Sequence, residues 1–254
     1  MNQFDIVIPL GRNDITVIDT QLEYTIKNVI GYRHIYIVTN LDFMKNPLLI
    51  DCIKKHILNK IKIIPVNEES YPFNIETVAK YHGKSKRNGW YLQQLIKLYS
   101  WQVIPGILER YLVIDSDTFF LKPISFMEGK LCKYNYGTEY HKPYFLHMKK
   151  IHPSLNRIIP NMSGICHHMI FEMKYIKELF IMVEQYHNDK FYNVFLSNVI
   201  EYELSGASEY EIYFNYMILK HPYKIIIRKL NWANVNTLDN INDYDYVSYH
   251  WYRR

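Results

Sequence analysis

The first half of the chain alternates short apolar runs with longer stretches in which apolar residues recur at helical spacing. Four runs rich in Ile and Val, each bounded by turn residues, predict strands buried on both faces at residues 4–10, 34–39, 60–66 and 110–114. Between them, a period of about 3.6 residues predicts helices over 18–29, 47–58 and 90–104. This rhythm indicates an α/β fold with a mostly parallel central sheet and helices on both faces.

The second half of the chain is less regular. Helical spacing returns at residues 174–185, 188–202 and 209–219, and a strand is expected at 223–230. Residues 129–156 show no clear period, and a new apolar run begins at Ser163-Gly164-Ile165. Because we find no internal repeat and no linker, we expect one domain with a smaller region after the sheet.

Composition and charge narrow the classes of protein. Hydrophobic residues make up 48% of the 254 positions, which is enough for a large core, and charged residues make up 22%. The net charge of +5 is mild, and Lys and Arg are scattered along the chain, so we expect no nucleic-acid partner.

The cysteines and the N-terminus indicate in which cellular compartment the protein is expected. Cys52, Cys132 and Cys166 lie far apart without a C-x-x-C pair, so they indicate neither a disulfide framework nor a cysteine zinc site. The N-terminus has no basic leader, and no stretch approaches the roughly 20 apolar residues of a membrane helix. We therefore expect a soluble, cytoplasmic protein without a membrane span.

The most informative run is Tyr111-Leu112-Val113-Ile114-Asp115-Ser116-Asp117-Thr118. An apolar strand that delivers two carboxylates at i and i+2 offers hard oxygen ligands for Mg²⁺ or Mn²⁺ bound to phosphate. Acidic pairs also cap or solvate turns. Ligands of parallel sheets bind beyond the carboxyl ends of the strands, which favours a metal site at Asp115 and Asp117.

A polar-faced helix precedes this motif and reads Gly89-Trp90-Tyr91-Leu92-Gln93-Gln94-Leu95-Ile96-Lys97-Leu98. With a W-x-x-Q-Q-x-x-K-L helix before a D-x-D motif, the chain resembles the GT-A glycosyltransferases, particularly small bacterial and viral members, over nearly its whole length. The resemblance implies a Rossmann-like GT-A fold, a divalent metal and a UDP-sugar donor. Residues 1–125 are then the nucleotide-sugar-binding half and 126–254 the acceptor-side half.

The resemblance also implies a donor pocket built from three segments. Gln94 and Lys97 are three residues apart and share a helix face, although both could simply be exposed. The end of the first strand and the residues after it, 9–14, are called the first-strand loop. Here Gly11 lets the backbone approach the nucleotide closely and Arg12 could pair with phosphate, while Asp14 could cap the next helix. The implied donor-binding residues are Pro9, Gly11, Arg12, Asn13, Gln94, Lys97, Asp115, Ser116 and Asp117.

Family members commonly carry a glycine turn followed by an acidic base, matched here by Ser163-Gly164 and by a glutamate at position 209 or 211. Ser208 and Glu211 fit a capping box, which gives Glu211 a structural role. Glu209 would then have a carboxylate free to point into the cleft, so we prefer Glu209 as general base of an inverting reaction. Tyr210 interrupts the usual acidic pair, so Glu211 stays a second catalytic candidate.

Histidines supply the remaining candidates. The resemblance implies a C-terminal histidine on the metal, matched by His250 in an expected strand at 246–251, although a lone terminal histidine is usually a surface residue. An imidazole ligand favours Mn²⁺ over Mg²⁺. For His167 and His168 we expect strand alternation, with one side chain packed and the other facing the cleft; His167 is a candidate acceptor-site residue.

The function predicted is a metal-dependent glycosyltransferase that moves a sugar to a hydroxyl of a glycan, a protein or a small molecule. Asp115-Ser116-Asp117-Thr118 also matches haloacid-dehalogenase-like phosphatases, in which the first aspartate is phosphorylated. That family carries the motif on its first strand, whereas three predicted strands precede it here, and the later acidic pair is Asp243 and Asp245. A third alternative is a non-catalytic nucleotide- or glycan-binding module.

Overall fold

The computed structural model describes residues 3–42, 45–57 and 62–254. Its strands are β1 (Phe4–Pro9), β2 (Val29–Ile30), β3 (Tyr32–Thr39), β4 (Lys62–Asn67), β5 (Arg110–Ile114), β6 (Thr118–Phe120), β7 (Ile124–Ser125), β8 (Met127–Glu128), β9 (Leu131–Asn135), β10 (His168–Glu172), β11 (Ile225–Arg228), β12 (Trp232–Asn234) and β13 (Tyr246–Ser248). Its α-helices are α1 (Ile18–Asn28), α2 (Pro47–Ile57), α3 (Ile75–His82), α4 (Asn88–Val103), α5 (Lys142–Ile151), α6 (Met173–His187), α7 (Phe191–Ser197) and α8 (Glu209–Lys220).

The first strand lies in the middle of the central sheet, whose order is β10-β5-β1-β3-β4. β1 pairs in parallel with β3 and β5, β4 adds to β3 in parallel, and β10 closes the other edge antiparallel to β5. Every residue of β1 is buried, so the middle of the sheet is covered on both faces. The predicted α/β fold with a mostly parallel sheet is confirmed.

A small second sheet brings the end of the chain back to the motif. β6 follows Asp117 directly and pairs antiparallel with β13, which pairs in parallel with β12. A third sheet, β11-β9-β8, lies in the second half of the chain. None of the described helices combines the length and the apolar character needed to span a bilayer.

Most predicted elements of the first half are present within two residues of their expected ends. Of these elements, Leu58, Lys60 and Ile61 lie outside the described residues. The helix expected at 188–202 is shorter, because Asn188 takes a left-handed conformation (φ 53°) and α7 begins only at Phe191. The strand expected at 246–251 ends at Ser248, and Trp251–Arg253 form a 3-10 helix.

Several elements are not predicted by the apolar pattern, among them α3, α5 and β9. α3 begins with a capping box in which the Asn74 side chain accepts from the Thr77 backbone and Thr77 accepts in return from Asn74. α5 and β9 lie in the segment without a clear period. β9 is held by parallel pairing with β11, which lies far along the chain, so local spacing carries no sign of it.

Candidate active site

The first carboxylate of the motif leaves the sheet at the carboxyl end of β5. Asp115 Oδ1 accepts hydrogen bonds from Lys97 Nζ (2.5 Å) and from Tyr210 Oη (2.9 Å). Its Oδ2 lies 3.2 Å from His167 Nδ1. Asp115 therefore sits where α4, α8 and the turn before β10 converge, with its side chain still 24% exposed.

The second carboxylate points to the C-terminal segment. Asp117 Oδ2 lies 2.8 Å from His250 Nδ1, and the Asp117 carbonyl accepts from the Tyr249 backbone N–H (2.8 Å). The other oxygen, Oδ1, is buried and has no hydrogen-bond partner. The imidazoles of His250 and His167 lie 4.9 Å apart between ring centroids, so both carboxylates belong to one polar cluster.

Ser116, between the two aspartates, faces away from this cluster. Its hydroxyl donates to Asp14 Oδ2 (2.6 Å), and the other Asp14 oxygen accepts from the Arg254 guanidinium. Burial raises the pKa of Asp14, although the Ser116 and Arg254 bonds oppose this effect. Asp14 makes no side-chain cap on α1, so the alternative that it caps this helix is wrong.

Lys97 links the motif to the first turn of α8. Its ammonium also donates to Glu209 Oε1 (2.7 Å) and lies 4.4 Å from the centroid of the Tyr210 ring. Gln94 Oε1 accepts from the Glu209 backbone N–H (3.0 Å), while Gln94 Nε2 is buried without a partner. Gln94 and Lys97 share a buried face, so the alternative that both are merely exposed is wrong.

Charge pairing governs the protonation of these groups. Burial alone raises the pKa of the Asp115 carboxyl, but the Lys97 ammonium and the His167 imidazole outweigh burial and hold that pKa well below its usual range. Burial likewise raises the pKa of Glu209, and Lys97 only partly opposes the increase. Asp115 is therefore ionised at neutral pH and Lys97 carries the compensating charge.

The two glutamates at the start of α8 have different surroundings. Ser208 is the N-cap, since its side chain accepts from the Glu211 backbone N–H (3.3 Å). The Glu211 carboxylate does not complete the capping box; it accepts from Ser163 Oγ (2.5 Å), from the Gly164 N–H (3.2 Å) and from Asn215 Nδ2 (2.9 Å). Glu211 thus holds the glycine turn against α8.

Glu209 is not the free carboxylate that the capping argument predicts. Glu209 is only 3% exposed, and its carboxylate is paired with the Lys97 ammonium. The N-cap at Ser208 directs the first helical residue toward the motif as expected. Lys97 comes from a different helix, which is why the ion pair could not be predicted from the local sequence.

The first-strand loop approaches α4. Pro9 ends β1, and a Cβ at Gly11 would lie 3.2 Å from Gln93 Nε2, so this position has little room for a side chain. Arg12 and Asn13 are exposed. The Asn13 carbonyl accepts from Arg254 Nη1 (3.2 Å), so the end of the chain lies against this loop.

His167 and His168 are consecutive residues with different surroundings. His167 has a left-handed backbone (φ 59°), its carbonyl accepts from the Asp115 N–H (3.0 Å), and β10 begins only at His168. His168 packs against Phe120 and Phe126, and burial lowers its pKa to about 3. One histidine is packed and the other lies at the motif, but His167 precedes β10, so its left-handed backbone rather than strand alternation accounts for the difference.

Tyr210 is a site residue that sequence reasoning missed. The sequence marks it only as a departure from an acidic pair, whereas its hydroxyl bonds directly to Asp115. The available signal was its place beside Glu209 in the first turn of a helix whose N-cap was already predicted. Which face of that turn meets the motif depends on the packing of α8 against α4.

The cluster has donors suited to a hard divalent cation. Asp117 Oδ1 and His167 Nε2 are buried polar atoms without partners, and a carboxylate beside an imidazole suits Mn²⁺. Among the described residues, only Asp19, Cys52 and His56 bring three ligand atoms within 4.8 Å of one another; Asp115, Asp117 and His250 do not. Asp117 and His250 are therefore the direct-ligand candidates, with Asp115 held by Lys97.

An open pocket of about 400 Å³ lies where the start of α5 faces the segment before α8. Its lining comes from the segment before α5, the first turn of α5 and the segment before α8: Glu139, Tyr140, His141, Tyr144, Leu204 and Ser205. Burial raises the pKa of Tyr144, and the nearby Glu209 carboxylate raises it further. The Tyr144 ring also stacks on Trp90 at 6.4 Å, so the pocket borders α4.

Comparison with known proteins gives a family and a fold. Residues 33–249 match a family model described as "Family of unknown function (DUF6492)". No curated protein matches the sequence. Among solved structures, the chain is similar to the crystal structure of mouse xyloside xylosyltransferase 1 in its apo form, with 9% identity, a TM-score of 0.55 and 99% of each chain covered. At this identity the likeness shows a shared fold, and the predicted GT-A fold class is confirmed.

We predict that Gly164→Ala destabilises the protein, because the added Cβ would lie 2.6 Å from both Phe214 Cβ and the Tyr210 carbonyl. The resulting displacement of α8 is expected to cost about 1–3 kcal/mol, measured by urea unfolding. Gly89→Ala is the matched control, since its Cβ meets nothing within 4 Å and alanine favours a helix. Equal stability of the two variants would show that α8 does not pack tightly on the turn.

Proposed function

The chain belongs to the family described as a family of unknown function (DUF6492), and we propose that it is a metal-dependent glycosyltransferase. The reaction would move a sugar from a nucleotide-sugar to an acceptor hydroxyl. The observation that carries this proposal is the cluster at the end of β5, where Asp115 and Asp117 lie beside His167 and His250. The fold shared with a xylosyltransferase supports the same reaction class.

We assign the metal to Asp117 and His250, whose carboxylate and imidazole are already adjacent. The Asp117 Oδ1 atom has no hydrogen-bond partner and is available to the ion. When bound, Mn²⁺ or Mg²⁺ would neutralise diphosphate oxygens and improve the leaving group. Asp115, ionised and held by Lys97, would act through water or a sugar hydroxyl. A UDP-sugar is the proposed donor, following the resemblance of the D-x-D motif and its preceding helix.

The remaining donor contacts come from residues around the cluster. Gly11 allows the donor close to the backbone, and the exposed guanidinium of Arg12 is available to a phosphate group. The unpaired amide of Gln94 offers a buried hydrogen-bond donor beside Glu209. The wall of the proposed donor pocket also includes Pro9, Asn13 and Ser116. The Ser116 bond to Asp14 keeps the motif fixed against the first-strand loop.

For proton transfer we propose Glu209. The acceptor oxygen would bond to the anomeric carbon as the bond from that carbon to the diphosphate oxygen breaks, and the hydroxyl proton would pass to Glu209. Such a direct displacement inverts the anomeric centre. Glu209 lies close to Tyr144 of the open pocket, whereas the Glu211 oxygens are occupied by Ser163, Gly164 and Asn215.

Asp117→Ala is expected to abolish Mn²⁺-dependent binding of a UDP-sugar, because it removes a metal ligand. The measurement is a calorimetric titration with and without Mn²⁺, after circular dichroism has shown that the variant is folded. Asp243→Ala, an exposed acidic position, serves as the control and should bind as the unaltered protein does. Undiminished affinity in Asp117→Ala would count against the metal role.

Glu209→Gln should leave donor binding within about threefold and lower transfer by about 10²-fold or more, the usual contribution of a general base. Glu211→Gln should instead lower the melting temperature, because it weakens three buried hydrogen bonds. Both variants are compared by transfer rate and by thermal unfolding. If only Glu211→Gln loses transfer at full stability, the base has been assigned to the wrong glutamate.

One assay separates the three functional classes. In the presence of Mn²⁺, slow release of nucleotide from a UDP-sugar is the expected result for a transferase lacking its acceptor. Release of phosphate from a phosphate monoester would favour a haloacid-dehalogenase-like phosphatase instead. Binding of the UDP-sugar without turnover would favour a non-catalytic binding module. The structure weighs against the phosphatase, since Asp245 is engaged by Lys122 and by the Asn231 N–H rather than by the motif.

A further inference from the structure

A second group of metal-ligand side chains lies outside the candidate active site, between α1 and α2. Asp19 comes from α1, while Cys52 and His56 are four residues apart on α2 and so share one helix face. The ligand atoms of these three residues all lie within 4.8 Å of one another. His56 Nε2 is already 3.1 Å from Asp19 Oδ1.

We propose that Asp19, Cys52 and His56 bind Zn²⁺. Thiolate, imidazole and carboxylate are the three ligand types that zinc takes in proteins. Cys52 and His56 are buried, whereas the Asp19 side chain is 45% exposed, so an ion can reach the site from solvent and keep water as its fourth ligand. This inference does not depend on the proposed transferase activity.

Lys55 occupies the outer side of the group. Its ammonium donates to Asp19 Oδ2 (2.8 Å) and to Glu23 Oε1. The lysine therefore supplies positive charge at one Asp19 oxygen, while His56 lies at the other. Because the Lys55 side chain is 49% exposed, it can turn into solvent when a cation binds. Lys55 is a competitor of the metal rather than a barrier to it.

Zinc bound to this group would affect the position of α1, which contacts β6. α1 also carries Gln21 and Asn28, whose side chains donate to the carbonyls of Thr118 (3.2 Å) and Phe120 (2.5 Å) in β6. β6 is the strand that follows Asp117 directly. A zinc ion between α1 and α2 would therefore brace the helix that supports this strand.

Cobalt is the probe for this site. We expect the full chain to bind Co²⁺ with a thiolate-to-cobalt charge-transfer band in the near ultraviolet, and added Zn²⁺ to remove that band. Cys52→Ser should lose the band, whereas Cys132→Ser, a change at another buried cysteine, should keep it. Asp117→Ala should also keep it, which separates this result from failure of the proposed transferase site.

Two further variants keep the proposal testable if Cys52→Ser does not fold. His56→Gln should weaken Co²⁺ binding by at least about tenfold. Lys55→Met should tighten it by about two- to fivefold, because a competing exposed cation is removed. Absence of the band in the folded, unaltered protein, or its persistence in Cys52→Ser, would overturn the zinc assignment, as would His56→Gln or Lys55→Met leaving the affinity unchanged.

Discussion

The candidate active site depends on one buried cation. Lys97, on α4, places its ammonium between Asp115 at the end of β5 and Glu209 at the start of α8. Removing a carboxylate from water costs several kcal/mol unless an opposite charge compensates it. Two carboxylates can approach each other here because this lysine neutralises part of their charge and holds three elements at one point.

The return of the C-terminal segment is the second requirement. Antiparallel pairing of β13 with β6 brings His250 to Asp117, and the chain then continues until Arg254 meets Asp14 behind the first-strand loop. The first-strand loop and the segment after β13 therefore lie against each other. The metal position that we propose consists of a residue at the carboxyl end of the sheet and a residue that follows β13 in the C-terminal segment.

The two proposed metal positions differ in chemistry. The cluster at β5 offers carboxylate and imidazole groups suited to a hard cation that also binds phosphate. The group between α1 and α2 includes the thiol of Cys52, which suits zinc. α1 connects them, because it carries Asp19 on one side and donates to the β6 carbonyls through Gln21 on another.

The sequence by itself determined the alternation of strands and helices, the strand at residues 110–114 and the presence of two carboxylates immediately after it. These features are local, because apolar periodicity and N-cap chemistry act over a few neighbouring residues. Only the tertiary structure decided which partners these groups meet. It paired Lys97 with Glu209, bound Glu211 to the glycine turn and joined Cys52 to Asp19. Such contacts depend on how distant elements pack, which local spacing does not specify.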